Sequence, residues 1–171
     1  MGTDMNDPVK GFVIRDIEPT DAAVVAAMAN AFDQEDLGAE SIQPFTRDTV
    51  LRDMTGAGAL LRTHVAATSD GSLIGYASHL PAYRSESAQP ARWLENLYVV
   101  PGWRRRGVAD ALMRDVAGAT LAMNACALYW GVRIVNDGGK GFYDAIGAQR
   151  EDAEILVLHR PDLQRLEQKT R

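Results

Sequence analysis

Along the chain, apolar residues recur every second position in some stretches and every third or fourth in others, and the changes of period mark out the elements. Phe12 to Glu18 alternates and is stopped by Pro19, Thr20 and Asp21, which predicts a first strand after a polar tail over residues 1–10. Ala22 to Phe32 places Val24, Val25, Met28 and Phe32 at helical spacing. A shorter helix is expected from Thr46 to Met54, capped by Thr46 and ended by Gly56 to Gly58. Leu61 to Thr68 and Ser72 to Leu80 flank the turn Ser69-Asp70-Gly71 and predict a hairpin. Trp93 to Val100 reads as a strand closed by Pro101 and Gly102, and Val108, Leu112, Val116 and Ala119 carry a helix over 107–120. Ala125 to Val132, Asn136 to Ile146 and Glu154 to His159 then predict strand, helix and strand.

This order predicts an α/β fold, a mixed sheet with helices on both faces, and the crossover through 107–120 makes its flanking strands parallel neighbours. No repeat or linker interrupts the 171 residues, so residues 1–171 are read as one domain. Composition (46% hydrophobic, 24% charged) is that of a chain that folds by itself. Eighteen basic against 23 acidic residues give a net charge of −5, and with a pI near 5.2 this argues against nucleic acid as the main partner. No stretch approaches the roughly 20 apolar residues that cross a bilayer, so no membrane partner is expected. A lone cysteine, Cys126, requires no oxidising compartment, and a cytoplasmic location is the expectation.

The clearest candidate site is the run Arg104, Arg105, Arg106, Gly107, Val108, Ala109, where a strand hands over to a helix. Backbone amides at a helix start lack intrahelical partners and the dipole favours anions there. Gly107 and Ala109 let a bulky anion approach, and guanidinium groups add forked donors, so a diphosphate fits; a solvated run of surface charge is the plainer alternative. No Gly-Lys-Ser/Thr follows the loop, and Gly138-Gly139-Lys140-Gly141 is followed by Phe142 where a magnesium-binding hydroxyl belongs, so neither is a P-loop.

Val99-Val100-Pro101 followed by Arg-x-x-Gly-x-Ala over 104–109, and Asn136 followed by Phe142, Tyr143 and Gly147, resemble the two signatures of the GCN5-related N-acetyltransferases (GNAT) in order and placement. The wording Leu94-Glu95-Asn96-Leu97-Tyr98-Val99 is most similar to the diamine/spermidine branch. This resemblance implies a mostly antiparallel sheet with a central, splayed parallel strand pair. It also implies acetyl-CoA as acyl donor with no metal, a small-molecule amine acceptor and a homodimer. Leu97, Tyr98 and Val99 would flank the pantetheine arm, Arg104, Arg105, Arg106, Gly107, Val108 and Ala109 the pyrophosphate, and Asn136 and Gly139 the cofactor arm. Two glycines in one helical turn cost roughly 1 kcal/mol each against alanine, which predicts a late or mobile start for the helix bearing Tyr143.

Acetylating an amine requires a proton acceptor for an ammonium of pKa near 10.4 and a proton donor for a leaving thiolate whose ordinary pKa is near 8.5. Strand alternation puts Trp93, Glu95, Leu97 and Val99 on one face unless a bulge intervenes, and apolar neighbours would raise the Glu95 pKa toward a useful base. Glu95 is therefore the candidate base, with an amine anchor, an exposed glutamate, or one salt-bridged to a loop arginine as the alternatives. Tyr143 is the candidate acid; packing against Phe142 and Ile146 is its other reading. Asp33, Glu35, Asp36 and Glu40 form an acidic patch, and Glu35 and Asp36 with Glu95 are the candidate anchors for an amine with more than one positive charge. His64, His79 and His159 are too scattered for a metal site and are expected as ordinary hydrogen-bonded histidines, and Cys126 as a small core residue. A protein N-terminus or lysine as acceptor, and a non-catalytic acyl-CoA sensor, are the competing functions.

Overall fold

A computed structural model describes residues 11–37 and 44–169; the tail expected at 1–10 lies outside them. The chain divides into a larger unit up to Asn136 and a smaller one from Asp137. In the larger unit, β1 (Phe12–Asp16), β2 (Arg62–Thr68), β3 (Leu73–Arg84), β4 (Gln89–Val99) and β5 (Leu128–Tyr129) form one sheet in chain order. Pairing is antiparallel from β1 to β4 and parallel between β4 and β5.

Helices cover both faces. On one, α1 (Ala22–Leu37) and α2 (Arg47–Met54) bury Val25, Ala29, Val50 and Met54 against Val65, Tyr76 and Tyr98. Thr46 caps α2 as expected, its Oγ1 accepting the Thr49 amide at 3.1 Å. Asn30 ties α1 to the chain entering α2, donating to the Phe45 carbonyl at 2.9 Å and accepting its amide at 2.7 Å. On the other face, α3 (Val108–Ala122) buries Val108, Leu112 and Val116 against β2, β3 and β4. Arg15 grips Asp21 with both guanidinium nitrogens, at 2.6 and 2.9 Å, which fixes the passage from β1 into α1.

The fold class is the expected one, with differences at the strand ends. β3 runs to Arg84 and β4 begins at Gln89, further than Leu80 and Trp93 suggest, because Pro81 and Pro90 read as breakers yet sit paired in the β3–β4 ladder. β5 keeps two residues of the expected Ala125 to Val132, so the parallel pair lies at the sheet edge rather than its centre. In the smaller unit, α4 (Asp137–Ala145) and α5 (Arg160–Glu167) are helical, and Glu154 to His159, expected as a strand, makes no ladder pairing among the described residues. Strand propensity is realised only where a neighbouring backbone supplies the bonds. Cys126 is exposed rather than buried, in the bend before β5, with its Sγ 3.5 Å from Ser87 Oγ.

Candidate active site

The β3–β4 ladder slips at one point. Ser78 pairs with Asn96 and His79 with Leu94, so Glu95 is an extra residue, a β-bulge. The slip exchanges the faces of β4. Before it, Leu94 pairs with His79 on the α3 side; after it, Asn96 and Tyr98 face α1 and α2, where the Tyr98 ring lies 6.2 Å from Phe32. Glu95 accepts the Trp93 indole N–H at 2.8 Å and is exposed. Two expectations are thereby corrected. The bulge separates Glu95 from Leu97 and Val99, which turn to the α3 side, and the carboxylate stands in solvent beside an indole instead of among apolar neighbours.

The bulge sits at a fork. Ladder pairing of β4 with β5 is confined to Arg92↔Leu128 and Trp93↔Tyr129. Beyond it the Val100 amide pairs with Ile74, which turns the backbone groups of Val99 and Leu97 away from β3 toward the opening. The β4–β5 pairing ends at Trp93, with backbone donors and acceptors facing away from β3 at the two residues the family resemblance names.

At the end of β4 the chain makes a short turn over Pro101–Trp103 and enters α3 through Gly107, the N-cap, at φ 81°. Only glycine adopts that conformation without strain. Among the described residues no side chain caps α3, in contrast to α2, so its first amides are left for a ligand. This terminus fits the diphosphate of acetyl-CoA. The three arginines are not equivalent. Arg104 donates through Nε to the Val99 carbonyl at 2.8 Å and through Nη2 to Glu35 at 2.6 and 2.9 Å, while Arg106 lies over the Trp103 ring. Arg104 therefore faces protein, and one lone pair of Val99 is already used.

The acidic patch is correspondingly divided. Glu35 is taken by Arg104 and by the Tyr98 hydroxyl, which donates at 3.2 Å; Asp36 lies 3.8 Å from Arg133; Glu40 lies outside the described residues. Asp33 is half-buried, and burial, then Asp36, raises its carboxyl above the usual range. Nearby, Tyr76 is fully buried and its hydroxyl has no hydrogen-bond partner among the described residues. Burial, followed by the fields of Asp33, Tyr98 and Glu95, keeps that hydroxyl protonated.

In the smaller unit α4 starts at Asp137, earlier than the glycines suggest, and the Lys140 Nζ to Asp137 contact at 3.1 Å braces its first turn around Gly138 and Gly139. Tyr143 is half-buried with its ring 5.3 Å from Phe142. Gly147 ends the helix at φ 86°, with the Ala148 amide bonded to the Tyr143 carbonyl. Asn136 closes the larger unit, its amide bonded to the Arg133 carbonyl at 3.0 Å. Among the described residues, no group of three or more His, Cys, Asp or Glu could hold a metal, and no helix is long and apolar enough to cross a membrane.

What the sequence pattern does not reveal is a buried polar chain under the bulge. His64 and His79, expected as ordinary histidines, meet Nε2 to Nε2 at 3.0 Å, with Arg92 and Asp115 at the ends. The hairpin carried the signal: Arg62 opposes His79 and His64 opposes Ala77, which makes the two histidines diagonal neighbours across β2 and β3.

The Acetyltransferase (GNAT) family matches residues 25–148, and the chain belongs to that family. A mycothiol acetyltransferase of Geodermatophilus obscurus is 34% identical over 101 residues, 59% of this chain; the match spans 31% of that relative's length. An integron cassette protein from the mobile metagenome of V. cholerae has the same fold, with a TM-score of 0.76 at 15% identity, over 93% of this chain and 99% of that one. An aminoglycoside acetyltransferase from an uncultured soil metagenomic sample, solved with sisomicin, gives a TM-score of 0.70 at 12% identity, over 90% and 98%. None of these three bears the name of a diamine or spermidine acetyltransferase.

Proposed function

We propose that this chain moves the acetyl group of acetyl-CoA to a primary amine of a small cationic molecule, by direct attack while both substrates are bound. The observation that carries the reading is the Glu95 bulge at the fork of β4 and β5, one strand-end away from the uncapped start of α3. The family match supports the acyl donor, and because it runs from 25 to 148, across the boundary of the two units, it supports one catalytic domain.

Acetyl-CoA supplies the activated acyl group when bound. The outward backbone of Leu97 and Val99 with Tyr98 between them, and Asn136, would hold its arm, and the amides of Arg105 to Ala109 its diphosphate; Gly139, in the smaller unit, is the further candidate that the family resemblance gives for the arm. Arg104 shapes the loop through Glu35. Glu95 takes the proton from the ammonium, directly or through water, and its exposure lets that proton pass on to solvent. Tyr143, in the smaller unit, is the proton donor that the family resemblance gives for the leaving sulfur. Negative charge at Glu95 and Asp33 attracts the cationic acceptor, with Asp36 and Glu35, partly neutralised by Arg133 and Arg104, at its margin. A diamine or polyamine is the finer form of this reading, and the complex of a protein of the same fold with sisomicin supports a small-molecule acceptor. A homodimer and a cytoplasmic location go with it; sedimentation tests the first.

Release of CoA measured against a panel of diamines, polyamines, aminoglycosides, amino acids and peptides tests the proposal. Turnover greatest with amines carrying a second cation is the expected result. Preference for a peptide N-terminus, or CoA binding without turnover of any amine, overturns it in favour of a protein acetyltransferase or a sensor.

A further inference from the structure

Ser78 and His79 are consecutive residues of β3, so their side chains leave opposite faces of the sheet, and each clasps β4 beside the bulge. On the α1 face, Ser78 Oγ bonds Asn96 Oδ1 at 2.9 Å, one residue after Glu95. On the α3 face, Arg92 Nη1 bonds His79 Nδ1 at 2.7 Å, three residues before it. All four side chains belong to buried residues. Arg92 is further fixed by its amide, which donates to the Ala127 carbonyl at 2.9 Å, where the β4–β5 fork begins.

The second clasp continues inward with a single consistent set of protons. A guanidinium only donates, so His79 Nδ1 accepts from Arg92 and the His79 proton sits on Nε2. That proton points at His64 Nε2, 3.0 Å away, which must accept and leaves the His64 proton on Nδ1. There it meets Asp115 of α3 at 2.6 Å and Asp16 of β1 at 3.2 Å. Every bond runs from the cation on β4 to the carboxylates, and Arg62 of β2 faces the same cluster. Burial, then the Arg92 charge, pushes His79 down to about 3, so the arrangement persists through neutral pH.

Such a chain is an expensive means of stabilising a core, because apolar replacements of similar volume usually do as well. Its value lies in fixing geometry. A bulge leaves its extra residue outside the ladder, and what lies on either side decides where that residue points. We propose that the Asp115–His64–His79–Arg92 chain and the Ser78–Asn96 pair are positioning residues that hold the β4 bulge and so aim the Glu95 carboxylate for acetyl transfer. This rests on the reading of Glu95 as proton acceptor.

The Trp93 indole N–H, bonded to Glu95, reports the aim without any turnover. In ¹⁵N spectra of the full chain, Arg92→Met and Ser78→Ala each shift the Trp93 indole resonance, identified by its loss in Trp93→Phe. Both variants lower kcat by roughly 10- to 100-fold with the CoA affinity kept, the scale expected for a misplaced catalytic group. Asp115→Leu does the same, and Asp115→Asn, which keeps an acceptor for His64, restores both readouts. In a Glu95→Gln background Arg92→Met costs nothing further, since both changes remove one function. A Trp93 resonance that stays put in folded Arg92→Met and Ser78→Ala, or losses that multiply with Glu95→Gln, overturns the proposal. Should Arg92→Met fail to fold, Ser78→Ala and the wild-type histidine spectra at pH 8 decide: a proton on Nε2 of His79 and on Nδ1 of His64 is expected, and any other tautomer pair overturns it. Full activity in Glu95→Gln would instead refute the base reading, and the Trp93 shift would still settle whether the clasps hold the bulge.

Discussion

Arg104 and Glu35, 69 residues apart, close on each other with the arginine Nη2 at 2.6 and 2.9 Å from the two carboxylate oxygens, so the loop proposed to receive the cofactor is fastened to the helix that carries the acidic patch. Both side chains are partly exposed, which limits the pair's stabilising effect to about 1 kcal/mol or less. Glu35→Gln should therefore barely move Tm. It should tighten CoA binding, by up to about 10-fold at low salt, because Arg104 is left as an unmatched cation beside an anionic ligand, and the gain should fade as salt rises. Calorimetry at two ionic strengths checks this; unchanged CoA affinity would mean that Arg104 and Glu35 serve the fold alone.

Gly107 combines a left-handed backbone, φ 81°, with the N-cap of α3. Gly107→Ala should cost roughly 1 kcal/mol of stability from the conformation alone. Gly107→Glu adds a negative charge against the diphosphate and should abolish CoA binding in a folded protein. Retained CoA affinity in that variant would dismiss the loop as the phosphate site.

A Cβ at Gly75 would lie 2.7 Å from the Tyr98 carbonyl oxygen and 3.3 Å from Val99 Cγ2, with backbone that cannot yield. Gly75→Ala should destabilise by roughly 1–3 kcal/mol, the range for an overpacked core, and should disturb β4 where the cofactor arm is expected. Denaturant unfolding with an unchanged midpoint would show that β3 and β4 are less tightly apposed.

The pattern of apolar positions made α2 with its Thr46 cap, the Ser69–Gly71 turn and the strand-to-helix arginine loop legible, because each is decided by residues within a few positions of one another. Three features of the site were not. The bulge at Glu95 carries no local mark, since it is set by pairing with Ser78 and His79 on another strand. The commitment of Arg104 to Glu35 joins an end of α1 to the end of β4, and no periodicity contains it. The length of β3 and β4 was hidden by Pro81 and Pro90, which sit at non-hydrogen-bonded pairs of the ladder: the Arg92 amide opposite Pro81 donates to Ala127 and the Pro90 carbonyl accepts from Cys126, both on the β5 side, so no missing amide breaks a β3–β4 bond.

Stability toward acid should be lost in two stages. His79 has its folded pKa lowered to about 3 from an unfolded value near 6.5, by burial and then by Arg92, so the unfolded chain binds a proton that the folded one refuses. That contribution is complete above about pH 6.5 and declines as pH falls toward 3. Asp21, held low first by the Arg15 hydrogen bonds, and Asp115, held low first by His64, add losses below about pH 4. Tm should thus begin to fall from about pH 6.5, and His79→Asn should flatten the decline between 6.5 and 4 while lowering Tm at neutral pH. A wild-type Tm that is flat from pH 7 to 4 would contradict a buried neutral His79.

The pH dependence of kcat/KM for Glu95→Gln beside the wild type, with a diamine acceptor and with CoA affinity measured in parallel, tests whether Glu95 accepts the ammonium proton. The substitution keeps the size of the side chain and an oxygen for the Trp93 indole while removing the proton acceptor. A fall of roughly 100- to 10,000-fold at neutral pH, with the rising acidic limb lost or displaced toward the amine's own pKa and CoA binding intact, is the expected result. An unchanged profile at full rate would contradict it.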